Sequence, residues 1–140
     1  MARGDLTIFD EALAKMLSGN WASTDEFYCG ICDDTTTPIA AFATPIYTDF
    51  TEVGTDGIYV AGGLTLGALS TLVSEAAGVM TFDSATNPTW AQNASNDVDA
   101  YWGIIYNYTD AGKDCLCFVD LGGPVDMSGG DLTVTWNASG

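Results

Sequence analysis

The sequence predicts a mainly β fold: a single-domain antiparallel β-sandwich or barrel-like unit with one N-terminal amphipathic helix. Three observations point there. From residue 58 onward, short apolar runs alternate with turn signals, a rhythm that favours short strands. The closing run alternates, with Leu132, Val134 and Trp136 on one side and Thr133 and Thr135 on the other, the mark of a half-buried strand. Only one stretch, residues 6–17, shows a clear helical period.

The helix is expected from Leu6, Phe9, Leu13, Met16 and Leu17, which share one helical face. Asp5 is the expected N-cap and Gly19 the stop. Phe27–Cys32 reads as a short strand, residues 33–57 as irregular, and 47–53 as a possible helical turn. The later strand candidates are Ile58–Ala61, Leu64–Val73, Gly78–Phe82, Thr89–Gln92, Tyr101–Tyr108, Cys115–Leu121 and Leu132–Trp136. Between them lie breakers such as Gly62-Gly63, Asn87-Pro88, Gly122-Gly123-Pro124 and Gly129-Gly130. The expected organisation is an N-terminal arm and helix over 1–20 and a β-sandwich-like body over 21–140, one domain overall.

Composition narrows the function. The 140 residues hold 19 acids, three bases and no histidine, a net charge of −16, while 47% are apolar. A disordered acidic tail would be poor in apolar residues. So negative a chain repels a phosphate backbone, so no nucleic-acid partner is expected. Lacking histidine, it lacks the commonest general base and neutral metal ligand. Asp10, Glu11 and Lys15 interrupt any apolar signal core near the N-terminus, and no run approaches the ~18 apolar residues of a membrane span. The expectation is synthesis in a cytoplasm with no membrane partner. Charge is also uneven. Residues 1–20 carry a net −1, and the other 120 carry −15. The N-terminal segment is thus the part least repelled by an acidic neighbour.

Several constellations could carry chemistry. Cys29-x-x-Cys32 and Cys115-x-Cys117 could form a four-thiolate zinc site or a disulfide. In extended strands, however, 29 and 32 point to opposite faces, and small buried apolar residues are the favoured reading. Asp33-Asp34, Asp97-x-Asp99 and Asp25-Glu26 could bind calcium, but none fits the twelve-residue loop. With so many acids, a pair resembling a glycosidase dyad arises by chance. No catalytic residue, metal or cofactor is therefore assigned, and the chain is not expected to be an enzyme. Asn93, Asn107 and Asn137 begin glycosylation triplets that are expected to go unused. Tyr101, Trp102, Tyr106 and Tyr108 could form a glycan platform, or supply a strand's core contacts.

An ordered series of blocks carries a resemblance. Tyr-Val-Ala-Gly-Gly at 59–63 precedes Val-Met-Thr-Phe-Asp at 79–83, then Thr89-Trp90 and Tyr-Trp-Gly-Ile-Ile-Tyr-Asn-Tyr at 101–108. Leu-Cys-Phe-Val-Asp-Leu-Gly-Gly at 116–123 and Asp-Leu-Thr-Val-Thr-Trp-Asn-Ala-Ser-Gly at 131–140 complete it. From about Glu26 to Gly140 this text resembles small virion structural proteins of tailed bacteriophages, the closing block being the most specific. Relatives in that family begin with a shorter lead-in and run on through a few apolar residues.

The resemblance implies a capsid decoration (cement) protein on the outer capsid surface, stabilising joints between major capsid subunits. The alternative it leaves open is a tail-associated or receptor- or glycan-binding virion module. A small acidic hydrolase is the third reading. The implied partners are the major capsid protein and further copies of the chain, as a trimer or dimer. No catalytic residue is implied. Leu6, Phe9, Leu13, Met16 and Leu17 are the candidate partner-binding residues, with the rival reading that they cover the chain's own core.

Overall fold

The computed structural model describes residues 2–54 and 57–137. Its centre is a five-stranded antiparallel sheet, in the order β1 (Leu6–Ile8), β8 (Cys115–Val125), β7 (Ala100–Asn107), β2 (Glu26–Cys32), β3 (Leu64–Ala68). Two small antiparallel pairs complete the strands: β4 (Val73–Ala76) with β5 (Val79–Phe82), and β6 (Thr89–Trp90) with β9 (Leu132–Thr133). Helix α1 spans Asp10–Leu17, and a single helical turn, α2 (Leu69–Leu72), links β3 to β4. The fold is mainly β and antiparallel, as the sequence predicts. The main sheet is open, with β1 and β3 as its edges.

Register explains the core. Cys29 pairs with Ile105 and Ile105 with Cys117, so these three form one row across the sheet. Gly30, Ile104 and Phe118 form the adjacent row on the opposite face. Ile104, Ile105, Tyr106, Cys29, Cys117 and Phe118 are all essentially inaccessible, so the central strands are buried on both faces. One face is covered by Phe9, whose ring lies 5.1 Å from Phe118 and 6.1 Å from Phe50. The other face is covered by Trp21 and Phe82, both edge-on to Phe27.

The N-terminal segment differs from the expectation. The helix begins at Asp10, not Leu6, because Leu6–Ile8 pair antiparallel with Cys117–Val119 of β8. A vacant sheet edge outweighs local helical period, and Thr7 and Ile8 are β-branched. Phe9 is the N-cap, with extended backbone and its N–H donated to Leu116 O. Asp5 closes a turn with Ala2 instead of capping the helix. The stop is where the sequence places it: Gly19 has φ +73°, its N–H reaches Met16 O, and the Asn20 N–H reaches Lys15 O. That double bond pattern is the Schellman ending, which favours glycine.

Two strand expectations also change. Leu64–Val73 is not one strand. Gly67, at φ +125°, sits one residue before the end of β3 beside an irregularity in the β2 register, and Leu69 and Ser70 then donate their N–H groups to Asp25 O and Ser23 O. Ile58–Ala61 is a loop between Gly57 and Gly62, both at positive φ. β6 and β9 are shorter than their apolar runs. Beyond the two-residue ladder, Val134 donates to Pro88 O and Trp136 to Asn87 Oδ1, and the inside-outside alternation persists.

Phe9→Ala should cost about 3–5 kcal/mol of unfolding free energy, because a wholly buried ring leaves a cavity. Leu17→Ala, on a residue 88% exposed, should stay within about 0.5 kcal/mol of the parent. Urea unfolding followed by tryptophan fluorescence measures both.

Candidate interaction surface

The five predicted partner-binding residues divide between inside and outside. Phe9 is wholly buried, and Met16 is partly buried against the core. Leu6 lies in edge strand β1 and is 45% exposed. Leu13 and Leu17 point outward from α1, at 48% and 88% exposure. The helical stripe therefore has an inner row that holds the helix down and an outer row left in water.

Further exposed apolar residues lie where the sequence offered no periodic signal. Ile58 and Val60 flank the buried Tyr59, and Val79 and Met80 lie on the β4–β5 hairpin. The loop carrying Ile58 and Val60 is held by one carboxylate. Glu52 accepts hydrogen bonds from Tyr47 Oη at 2.5 Å, Tyr59 Oη at 2.9 Å and the Gly62 N–H at 2.8 Å. Tyr106 donates to Gly62 O at 2.8 Å and stacks on Tyr47 with centroids 4.0 Å apart. A charged acceptor holding three donors is among the stronger polar arrangements. It requires Gly30, where any Cβ would fall 1.8 Å from Tyr47 Oη.

The hairpin is built differently. Its turn, Ala77-Gly78, has positive φ at both residues, the pattern of a type I′ turn that matches strand twist. Its base is anchored by Phe82 on Phe27 and by the Asp83 N–H donated to Leu72 O. Beyond that base, residues 74–80 are all exposed, and among the described residues the pair hydrogen-bonds to no third strand. Glu75 is its one charged residue, and Glu75 and Met80 are register partners on one face.

At the far end of the sheet lies an open groove of about 520 Å³. Leu6, Val119 and Leu121 form one wall, and Leu132, Val134 and Trp136 the other. Arg3 stands at its rim, its stem laid over Gly122, where a Cβ would come within 2.7 Å of the Arg3 Cβ. Asp120 and Asp131 also line it, but each points one oxygen at a backbone N–H, of Gly122 and Gln92.

The remaining candidates are structural in place. The four cysteines are free and buried, and burial pushes their thiols up, that of Cys29 to about 12. Cys29 and Cys117 lie on one face in a row with Ile105 between them. Among the described residues, no three His, Cys, Asp or Glu side chains converge as a metal site. Asp33 accepts bonds from Thr35, and Asp25 from the Ala22 N–H and Asn107 Nδ2. Asn93 and Asn107 are 2% and 0% exposed, which closes both to glycosylation.

The aromatic row is occupied by packing. Tyr106 is buried, and Trp102 lies edge-on to Phe118. Tyr108 stacks on Tyr28 at 4.1 Å and carries Lys113 Nζ 3.8 Å from its ring centre. Tyr108 nonetheless remains 43% exposed. No helix is long and apolar enough to cross a membrane among the described residues. Comparison with protein families, with curated proteins and with solved structures finds no match to this chain.

Gly30→Ala should displace Tyr47 and cost about 1–3 kcal/mol, the usual range for overpacking; thermal unfolding measures it. Stability should also fall at alkaline pH. Burial raises the cysteine thiols and the Tyr47, Tyr59 and Tyr106 hydroxyls, so the unfolded chain loses these protons first. Their contribution is complete below the unfolded values, near 8.5 for cysteine and 10 for tyrosine, and fades as pH rises above them. Urea midpoints from pH 7 to 11 should decline from about pH 9 upward. A flat profile would contradict the burial of these groups.

Proposed function

We propose that this chain is a structural component of a tailed-bacteriophage particle, a decoration protein bound to the outer capsid across joints between major capsid subunits. The carrying observation is the pairing of a densely packed β core with isolated apolar side chains exposed on a strongly acidic surface. Leu13, Leu17, Ile58, Val60, Val79 and Met80 are held outward by elements fixed from within. Such residues gain about 25 cal/mol per Å² when a partner covers them. Many copies on one shell multiply a modest contact into resistance to rupture.

Charge fits that role. A −16 chain does not compete for packaged DNA. It must be held to the shell by apolar contact, by a basic shell surface or by cations. Two of its three cations are engaged internally. Lys15 pairs with Asp114 and with Glu11, and Lys113 donates to Tyr108 O. The ordered resemblance over Glu26–Gly140 adds its support.

Purified particles settle the matter. A decoration protein should stain in hundreds of copies and appear as density on the outer shell by electron cryomicroscopy. Absence from mature particles, or a few copies on the tail, would overturn the proposal. Leu13→Asp with Leu17→Asp separates docking from folding, because both side chains already face water. The double variant should keep its unfolding midpoint and lose at least about tenfold in affinity for undecorated capsids, as expected for charge placed in an apolar contact. Unchanged capsid binding would remove the helix face from the interface.

A further inference from the structure

The two edges of the main sheet are finished differently. β3 is closed by its own chain: the Leu66 carbonyl accepts from Ser84 Oγ at 3.4 Å and the Ala68 carbonyl from Thr71 Oγ1 at 2.7 Å. β1 has no such cover. Its register with β8 fixes which way each backbone group points. The Phe9 N–H reaches Leu116 O and the Asp120 N–H reaches Asp5 O, so residues 5, 7 and 9 are the hydrogen-bonding positions toward β8. The N–H and C=O groups of Leu6 and Ile8 therefore point to the open side, and among the described residues nothing takes them up.

An open edge is usually guarded by a charge, a proline or a bulge. Leu6-Thr7-Ile8 has none of these, and Leu6 and Ile8 share one face at 45% and 42% exposure. The outward groups are also self-complementary. A second copy laid antiparallel, about a two-fold axis at Thr7, sets Leu6 of each chain opposite Ile8 of the other. Each of these two pairs exchanges two hydrogen bonds, which satisfies every outward group of both strands. No neighbouring register does this. A slip of two residues one way sets Ile8 against Gly4, whose N–H is held by Asp120 O; the other way sets Leu6 against Asp10, whose N–H is held by Ala40 O. At each end of the ladder, the exposed Arg3 of one copy comes to the start of α1 in the other, where Asp10 and Glu11 lie. Arg3 forms no salt bridge among the described residues, and Asp5 is turned back on the Ala2 N–H. Three acids against one cation still repel across this seam, but residues 1–20 are the least acidic part of the chain.

We propose that β1 is a dimer seam: two copies of this chain pair edge to edge through Leu6–Ile8, joining their main sheets into one continuous antiparallel sheet. The patch pairs with itself, so the contact closes as a two-fold dimer and does not propagate. Leu6 and Ile8 meet directly across the seam on one face, where apolar cross-strand pairs add to the ladder. With four hydrogen bonds and four apolar side chains, the contact is small beside the ~1,200–2,000 Å² of a stable interface. It therefore forms at high protein concentration, and more readily where salt screens the net −16 of each copy. The proposal concerns the purified chain and does not rest on the particle role.

Sedimentation equilibrium and amide hydrogen exchange of the full chain, up to millimolar concentration in 0.05–1 M sodium chloride, test it. The dimer fraction should rise with salt. In the dimer the Leu6 and Ile8 amides should exchange at least about tenfold more slowly than in dilute protein, while those of Thr7 and Phe9, bonded to β8, are protected in both. Ile8→Pro removes an outward N–H and spares the β8 ladder, so it should weaken association at least about tenfold. A cross-link fixes the register and decides the matter should the proline variant not fold. Thr7→Cys places two Cα atoms ~4.5 Å apart across the axis, within disulfide reach, whereas Leu6→Cys leaves its two copies offset along the strands and out of reach. Under mild oxidation Thr7→Cys should therefore form a disulfide dimer well before Leu6→Cys does. A chain that stays monomeric at every concentration and salt, association that Ile8→Pro leaves unchanged, or equal cross-linking by the two cysteine variants would overturn the proposal. Loss of capsid binding by Ile8→Pro in a chain that never self-associates would assign the edge to another protein and overturn it equally.

Discussion

Strand β7 has no solvent side, and the rest of the molecule follows from that constraint. Ile104, Ile105 and Tyr106 are successive residues, so they alternate between faces, yet all three are buried. A sheet of five strands cannot cover itself, and both faces need a lid. One lid is Phe9, α1 and the irregular stretch around Tyr47 and Phe50. The other includes Trp21, Phe82 and the β6–β9 pair with Leu132 and Val134. Connections that look like punctuation in the sequence thus supply part of the core.

Lids built from irregular chain need polar anchoring, because their backbone groups lack ladder partners. Glu52 supplies it on one side by binding Tyr47, Tyr59 and Gly62 together. Asn107 supplies it at the end of β7. Its amide donates to Asp25 and accepts from Thr109 and Asp110, which fixes the turn into β8. These anchors also place the surface. With Tyr59 held inward, alternation directs Ile58 and Val60 outward. The outward placement of Ile58 and Val60 is therefore tied to the buried polar group that holds Tyr59.

Charge acts at a longer range. Acidic residues crowd the outside, while Lys15 and Lys113 are turned to internal partners. Any partner must therefore bring cations or must meet the chain at a patch with few acids. The outer row of α1 and the β4–β5 hairpin are two such patches. At such a patch apolar contact would supply the attraction, and the surrounding acids would disfavour an anionic partner.

Much of this was legible in the amino-acid order. The mainly β class, the glycine that ends α1, the strands around Phe27–Cys32, Tyr101–Tyr108 and Cys115–Leu121, and the alternation from Leu132 to Trp136 all follow from periodicity and turn chemistry, which are local properties. The acidic balance was likewise fixed by composition. What the order of residues left open depended on neighbours distant in the chain. Leu6–Ile8 could finish a helix or edge a sheet, and only the vacant side of β8 chose the sheet. Leu64–Val73 could be one strand, and only the docking of Leu69 and Ser70 on residues 23–25 bent it into β3, a helical turn and a hairpin. The division of the 6–17 stripe into a buried Phe9 and an exposed Leu17, the Glu52 cluster and the groove are likewise tertiary outcomes. Local period tells which residues prefer to share a face; which face is covered is decided by whatever chain segment remains to cover it.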